Sequence, residues 1–289
     1  MRILMTGASG FLGTRLAARL TESGHEVTRL KRGTGGWNPA KGELDPSLVA
    51  GADIVINLAG AGIGDRRWNA AYKDLLRSSR LDTAGTMART IAGLPENDRP
   101  RALLQASAVG WYGDTGDREV TEESPAGDTF LADLCRDWEA AASGAGTRVV
   151  LLRTGLPLDR RGGLLQRLVL LFKLGGGARL GNGRQWMPWI SLADWLNAVE
   201  FLIEREDLAG PVNLVAPQPV TNAIFTKALA RAVHRPALLA VPGFVLDIVL
   251  GEFGGEARRS QRVIPAVLRE AGFRWEHPDV DGALAVAVG

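Results

Sequence analysis

The sequence predicts an α/β fold: a doubly wound parallel sheet with a smaller C-terminal lobe. Three observations predict it. Short apolar runs alternate with helical patterns through residues 1–155, a glycine-rich turn joins the first run to the first helix, and the alternation then gives way to a helix-rich tail broken by prolines. The chain has 289 residues, 46% of them apolar, which is enough for one large α/β unit with a sizeable core.

The first element, RILMT, is a short apolar run ending at a glycine, the pattern of a strand buried on both faces. FLGTRLAARLTESG then places apolar residues at helical spacing and stops at Gly24. EVTRL, DIVINLA, ALLQAS and RVVLLRT read as further strands, with helices between them at about 68–92 and 128–143. This βαβ order implies parallel strands covered by helices on both faces. Beyond residue 155, GGLLQRLVLLFKLGGG is an amphipathic helix closed by three glycines. GPVNLVA is one more strand, with a return to the main sheet expected near 211–215, and TNAIFTKALARAVH is a helix capped by Thr221 or Asn222. The predicted division is 1–155 for the nucleotide domain and 156–289 for the lobe, whose last part, about 240–289, is interrupted by Pro242, Pro265 and Pro278.

Gly7-Ala8-Ser9-Gly10-Phe11-Leu12-Gly13 lies between the first strand and the first helix. There the first glycine permits the tight turn, the second lets backbone approach a pyrophosphate, and the third lets helix pack on strand. The N-terminus of the helix offers free N–H groups and partial positive charge to phosphates. This is the Rossmann-type arrangement, and it makes Gly7, Ser9, Gly10, Phe11, Leu12 and Gly13 cofactor-binding candidates. A NAD-binding chain usually presents Asp or Glu about twenty residues on, to hold the ribose 2′-hydroxyl. Here the second strand ends Arg29-Leu30-Lys31-Arg32-Gly33, so a cationic tip replaces the acid. That tip suits a 2′-phosphate and points to NADP(H), with Arg32 the better ligand of the Lys31–Arg32 pair because guanidinium binds phosphate bidentately. The alternative is a solvated strand end. The small residues of Asn57-Leu58-Ala59-Gly60-Ala61-Gly62 would bring the chain close to the ribose and pyrophosphate, with Leu58, Ala59 and Gly60 as the candidates, or serve only close packing.

Basic and acidic residues nearly balance, 34 against 32, so no global field favours nucleic acid or a membrane surface. One cysteine, Cys135, excludes an internal disulfide and a cysteine-built zinc site. The three histidines have no metal-ligand spacing, so no metal is expected. The opening MRILMTGASG lacks signal-peptide shape and no apolar stretch reaches membrane length, so the expectation is a soluble, cytoplasmic protein.

Several segments together carry a family resemblance. They are the glycine loop, NLAG, GDRRW at 64–68, SSRLD at 78–82, SAVGWYG at 107–113, CRDWEAAA at 135–142, LLRTG, GRQWMPWI at 183–190 and SQRVIPAVLREAGF near the C-terminus. Nearly end to end, the chain resembles the extended short-chain dehydrogenase/reductase superfamily, and within it the atypical SDR39U1-like epimerase family. The resemblance implies a Rossmann fold, NADP(H) binding that includes Arg80 and Leu156, and a small C-terminal domain. The substrate class it implies is a small molecule, with a sugar-nucleotide-like compound as the candidate. It also brings in a homodimer paired through the helices at 68–92 and 128–143, which the sequence leaves open.

In the superfamily a tyrosine transfers the substrate proton, a lysine four residues on holds the ribose, and a serine steadies the substrate oxygen. This chain has two tyrosines, Tyr72 and Tyr112, followed four residues later by Leu76 and Gly116. No Tyr-x-x-x-Lys exists, and FLADLCRDWE, where the pair should lie, offers Leu131 and Cys135 instead. Ser107 matches the superfamily serine and is the one catalytic candidate. Its alternative is a backbone bond at the strand end. Tyr112 is a substrate contact or a loop anchor, and Cys135 a packing residue. Trp138 and Glu139 serve helix packing and capping. Arg80 binds an anion or forms a surface ion pair. Arg184, Gln185 and Trp189 suit a flat polar ligand, or line a tryptophan-rich lobe interface. Ser191 and Asp194 fit a helix start. The expected function is therefore an NADP(H)-binding atypical reductase or epimerase-like protein, with a non-catalytic NADP(H) sensor or scaffold as the rival.

Overall fold

The apolar runs of the N-terminal half form the strands of a six-stranded parallel sheet in the computed structural model, which describes residues 1–33, 35–237 and 239–289. In chain order the strands are β1 (Arg2–Thr6), β2 (Glu26–Arg29), β3 (Ile54–Asn57), β4 (Ala102–Ala108), β5 (Arg148–Thr154) and β6 (Gly210–Leu214). They lie in the order β2-β1-β3-β4-β5-β6. β1 pairs in parallel with both β2 and β3, and β3 with β4. The order reverses at β1, so the crevice where a doubly wound sheet takes its ligand opens at the carboxyl ends of β1 and β3. GPVNLVA returns to this sheet as β6, as its apolar pattern suggests.

The longest of the described helices are α1 (Phe11–Glu22), α2 (Ala70–Ala92), α3 (Phe130–Ala142), α4 (Gly163–Lys173), α5 (Leu192–Glu204) and α6 (Asn222–Ala232). Thr221 occupies the N-cap position of α6 without a side-chain capping bond, while Asn222 Oδ1 accepts from Leu180 N at 2.8 Å. At α5 the expected start is realised. Ser191 Oγ accepts from Asp194 N at 2.9 Å and donates to the Asp194 carboxylate at 2.6 Å. Asp194 also accepts from the backbone N–H groups of Glu276 and His277, so it anchors the C-terminal segment.

The chain divides into two units that interleave, in place of one boundary at 155. The first comprises residues 1–108, 133–153 and 199–211. Its core joins Leu4, Val55 and Leu103 of the sheet to Met87 and Ile91 of α2 and to Trp138 and Ala142 of α3. Side chains at the strand ends form a buried polar ladder: Thr6 donates to Asn57, and Asn57 to Gln105 at 2.8 Å. The second unit comprises 109–132, 154–198 and 212–289. Its core gathers Leu165, Val169 and Phe172 of α4, Phe225 and Leu229 of α6, and Leu284 of the last helix, Val280–Val288. The segment 109–132 belongs here because its strand Glu119–Val120 pairs with Arg262–Val263. Chain order conceals such a return. Among the described residues no helix is long and apolar enough to cross a membrane.

Candidate functional site

The glycine loop is built by close backbone approach. Gly7 has φ +70°, and a Cβ there would lie 2.5 Å from the Leu58 carbonyl, so the Gly7 turn and the Leu58–Gly60 turn pack backbone to backbone. A Cβ on Gly13 would lie 2.1 Å from the Gly7 carbonyl oxygen, so only glycine lets α1 start this close to β1. Gly10 is the N-cap of α1, with no side-chain cap and no acid in the first turn. The helix thus presents its N-terminus to an external acceptor. Ser9 and Gly10 are exposed, Phe11 and Leu12 half-buried, and Asn57 Oδ1 steadies the second turn by accepting from Ala59 N at 3.2 Å. A cofactor pyrophosphate fits this cradle. Lys31 and Arg32 follow β2 and are exposed.

Arg80 is not a surface ion-pair residue. It is 9% exposed, its guanidinium lies 5.0 Å over the Trp138 ring, and its Nη1 donates to the Leu76 carbonyl at 3.1 Å. A Cβ on Gly60 would meet Arg80 Cγ and Cζ at 3.3 Å, so the glycine at 60 makes room for the arginine under the turn. Burial lowers its pKa, opposed by the nearby Cys135 and Tyr72. Trp138 Nε1 is buried and has no hydrogen-bond partner among the described residues.

Ser107 sits one residue before the end of β4, 4% exposed. Its hydroxyl does not bond backbone. It donates to Glu139 Oε1 at 2.6 Å. Glu139 in turn accepts from Arg153 Nε and Nη2, both at 2.9 Å, and both partners are nearly removed from solvent. Glu139 is therefore the centre of a buried polar network, not a capping residue. Cys135, one turn earlier on α3, directs its thiol at the Ala108 carbonyl at 3.6 Å. The pair on α3 that meets the end of β4 is thus Cys135 and Glu139, whereas Leu131 stands aside and is half-buried. Burial pushes the Cys135 thiol up to about 12, with Glu139 adding to the effect, so this thiol is an inert packing group.

Both tyrosines are spent internally. Tyr72 donates to the Gly62 carbonyl, and Tyr112, 2% exposed, donates to Asn213 Oδ1 at 2.7 Å. Within the second unit Asn213 also donates to the Ile264 carbonyl, and its backbone N–H is held by Glu122. Tyr112 accordingly anchors its loop to Asn213. Trp189 is 1% exposed, with Nε1 donating to the Gln218 carbonyl at 3.2 Å, so it belongs to the core. Leu156 is half-buried and pairs with Trp189 as a short strand. Arg184 is exposed and Gln185 half-buried, and both line an open polar groove of about 450 Å³ with Asp114, Asp117, Asn182 and Arg258.

Arg153 and Asn213 escaped the sequence reading, which gave Glu139 only a packing and capping role. One signal was present: an arginine inside the apolar strand RVVLLRT needs a buried partner.

The glycine cradle and the switch-point order are those of a nucleotide-binding doubly wound protein. Residues 3–215 match the NAD dependent epimerase/dehydratase family, and residues 241–287 match a domain of unknown function (DUF1731). The chain belongs to the NAD dependent epimerase/dehydratase family. Within it, the chain is 44% identical over 295 residues to epimerase family protein ML0860 of Mycobacterium leprae, covering 99% of this chain and 95% of that one. The crystal structure of human epimerase family protein SDR39U1 with NADPH superposes with a TM-score of 0.90 at 33% identity, covering 100% of this chain and 99% of that chain. A nucleoside-diphosphate sugar epimerase from Corynebacterium glutamicum matches at 35% identity and a TM-score of 0.80, with this chain spanning 58% of its length. The SDR39U1-like membership expected from the sequence is thereby established.

Proposed function

We propose that this epimerase-family chain binds NADP(H) and acts as an atypical short-chain dehydrogenase/reductase on a small hydroxyl- or carbonyl-bearing molecule of sugar-nucleotide type. The observation that carries the reading is the Gly7–Gly13 cradle, in which bare backbone and an uncapped helix N-terminus await phosphate oxygens. Gly7, Ser9, Gly10, Phe11, Leu12 and Gly13 hold the pyrophosphate, Lys31 and Arg32 the 2′-phosphate, and Leu58, Ala59 and Gly60 the ribose side, with Arg80 beneath Gly60 supplying positive charge. Leu156 makes an apolar cofactor contact. The NADPH in the human relative supports the choice of cofactor. Bound there, the nicotinamide supplies or takes a hydride. The chain's part is to orient the substrate oxygen at Ser107. Arg184 and Gln185 make polar substrate contacts.

A second reading has its own observation. With no Tyr-x-x-x-Lys and both tyrosine hydroxyls bound internally, the chain is suited to holding NADP(H) without turnover, as a sensor or scaffold. The test is oxidation of bound NADPH when the protein is offered carbonyl compounds and sugar nucleotides. Turnover supports the enzyme. Tight NADPH binding with no turnover supports the sensor.

A further inference from the structure

We propose that Ser107, Glu139 and Arg153 form the proton-handling unit of this chain, in which Ser107 accepts a substrate hydroxyl proton and passes its own to Glu139. The proposal rests on the hydride-transfer reading above and supplies the proton path that reading lacks.

The direction of the hydrogen bond carries the argument. Glu139 receives two N–H groups of Arg153 at 2.9 Å and the Ser107 hydroxyl at 2.6 Å. A carboxylate so held has only acceptors to offer, so the proton between Ser107 and Glu139 belongs to the serine and points inward. The free lone pairs of Ser107 Oγ therefore face away from Glu139, and the serine meets a ligand as an acceptor. That suits an alcohol O–H. A serine positioned only to donate to a carbonyl oxygen would not have its proton committed to a buried acid.

A buried ion pair is also a poor choice for packing alone, since apolar residues of similar volume commonly serve stability as well or better. Here the pair ends at a hydroxyl one residue from the carboxyl end of β4, on the edge of the sheet where ligands of this fold class lie. The neighbouring groups do not compete for the proton. Cys135 on the same helix has a thiol held protonated by burial, Arg80 from α2 acts on that thiol as a cation, and Arg153 from β5 is the ion-pair partner of Glu139.

The step balances. One C–H and one O–H bond of the alcohol break and a C=O bond forms. The hydride leaves to an oxidised nicotinamide, the hydroxyl proton goes to Ser107 Oγ, and the serine proton goes to Glu139 Oε1. The reverse sequence returns the proton to a carbonyl oxygen, so the same unit serves both halves of an epimerisation. Ser107 is the residue that touches substrate, and Glu139 and Arg153 act through it.

The experiment uses the full chain as wild type, as Ser107→Ala, and as the double variant Glu139→Gln/Arg153→Met, which removes the acid without stranding a buried cation. Carbon-13 NMR of labelled glutamate side chains reads the Glu139 carboxyl with no substrate present. The Glu139 signal should shift in Ser107→Ala, because the serine hydroxyl is one of its hydrogen-bond donors, and an unmoved signal overturns the relay. In the presence of NADP+ and a panel of sugar nucleotides, Ser107→Ala should keep its NADP+ affinity and lose about 100- to 10,000-fold in rate, the usual worth of a positioned acid or base. The pH dependence of the wild-type rate should vanish in the double variant. A Ser107→Ala rate equal to wild type, or an unchanged pH profile in the double variant, overturns the relay and leaves the hydride-transfer reading standing. Silence of all three proteins toward the whole panel, with NADP+ bound, overturns both.

Discussion

Arg153 grips both carboxylate oxygens of Glu139, across 2.9 Å each, with the two side chains 3% and 7% exposed. A pair so deeply buried is costly to form and more costly to break, because removing one partner strands the other charge in a medium of low dielectric. Glu139→Ala should therefore lose about 3–5 kcal/mol of unfolding free energy, read by urea denaturation. Glu139→Leu combined with Arg153→Met should recover most of that loss. Equal losses in the single and double variants would mean that the charges themselves contribute little.

The close approach at Gly13 makes a second prediction. An added Cβ would meet only backbone, the Gly7 oxygen at 2.1 Å and Ala8 Cα at 2.9 Å, so nothing flexible can yield. Gly13→Ala should cost about 1–3 kcal/mol, as overpacking does, and should abolish NADPH binding by displacing α1 from the loop. Gly24→Ala is the control. Its φ is +82° in open space, so it should cost about 1–2 kcal/mol through backbone strain while leaving NADPH affinity unchanged. Thermal melts and fluorescence titration with NADPH separate the two cases.

Arg80 is a buried cation whose described polar contact is one backbone carbonyl, beside a ring and under the Gly60 turn. A packing arginine of this kind is replaceable by methionine. Arg80→Met should leave the melting temperature equal or higher and weaken NADPH binding by about tenfold or more, the worth of a charged hydrogen bond. Unchanged NADPH affinity would assign Arg80 to packing alone.

The fold was legible where periodicity speaks plainly. RILMT, DIVINLA and ALLQAS are apolar runs too short for helices, and all three lie in the central sheet. The glycine spacing was equally legible, since each glycine meets a steric demand within the loop itself. The network at Ser107 was not, because Glu139 and Arg153 lie 32 and 46 residues further along the chain and only the packing of α3 on the sheet joins them. Aromatic residues stayed ambiguous for a related reason. Tyr112 and Trp189 carry apolar bodies with polar tips, and sequence does not distinguish a tip that meets Asn213 or a backbone carbonyl from one that meets a ligand. The interleaving of the two units was hidden because segment 109–132 pairs with residues near 262, far along the chain.

Cys135 gives a prediction in pH. Burial raises its pKa from the ordinary 9.0 to about 12, so the folded state holds the proton more tightly than the unfolded chain does. The stability this contributes is whole below the ordinary thiol range and is lost as pH rises toward about 12. Cys135→Ala should flatten that alkaline decline in unfolding free energy. At mildly alkaline pH a thiol reagent should label the folded protein only as fast as it opens. Rapid labelling of the native state would contradict the inert assignment.

The central claim is that the first unit binds NADP(H) and selects it through the cationic tip of β2. Fluorescence titration of the wild type and Arg32→Ala with NADPH and NADH tests it most directly. The account predicts tighter binding of NADPH than of NADH by about tenfold or more, the scale of charge-assisted bonds to a phosphate, with the preference collapsing in Arg32→Ala. Equal affinity of the wild type for the two nucleotides would contradict it.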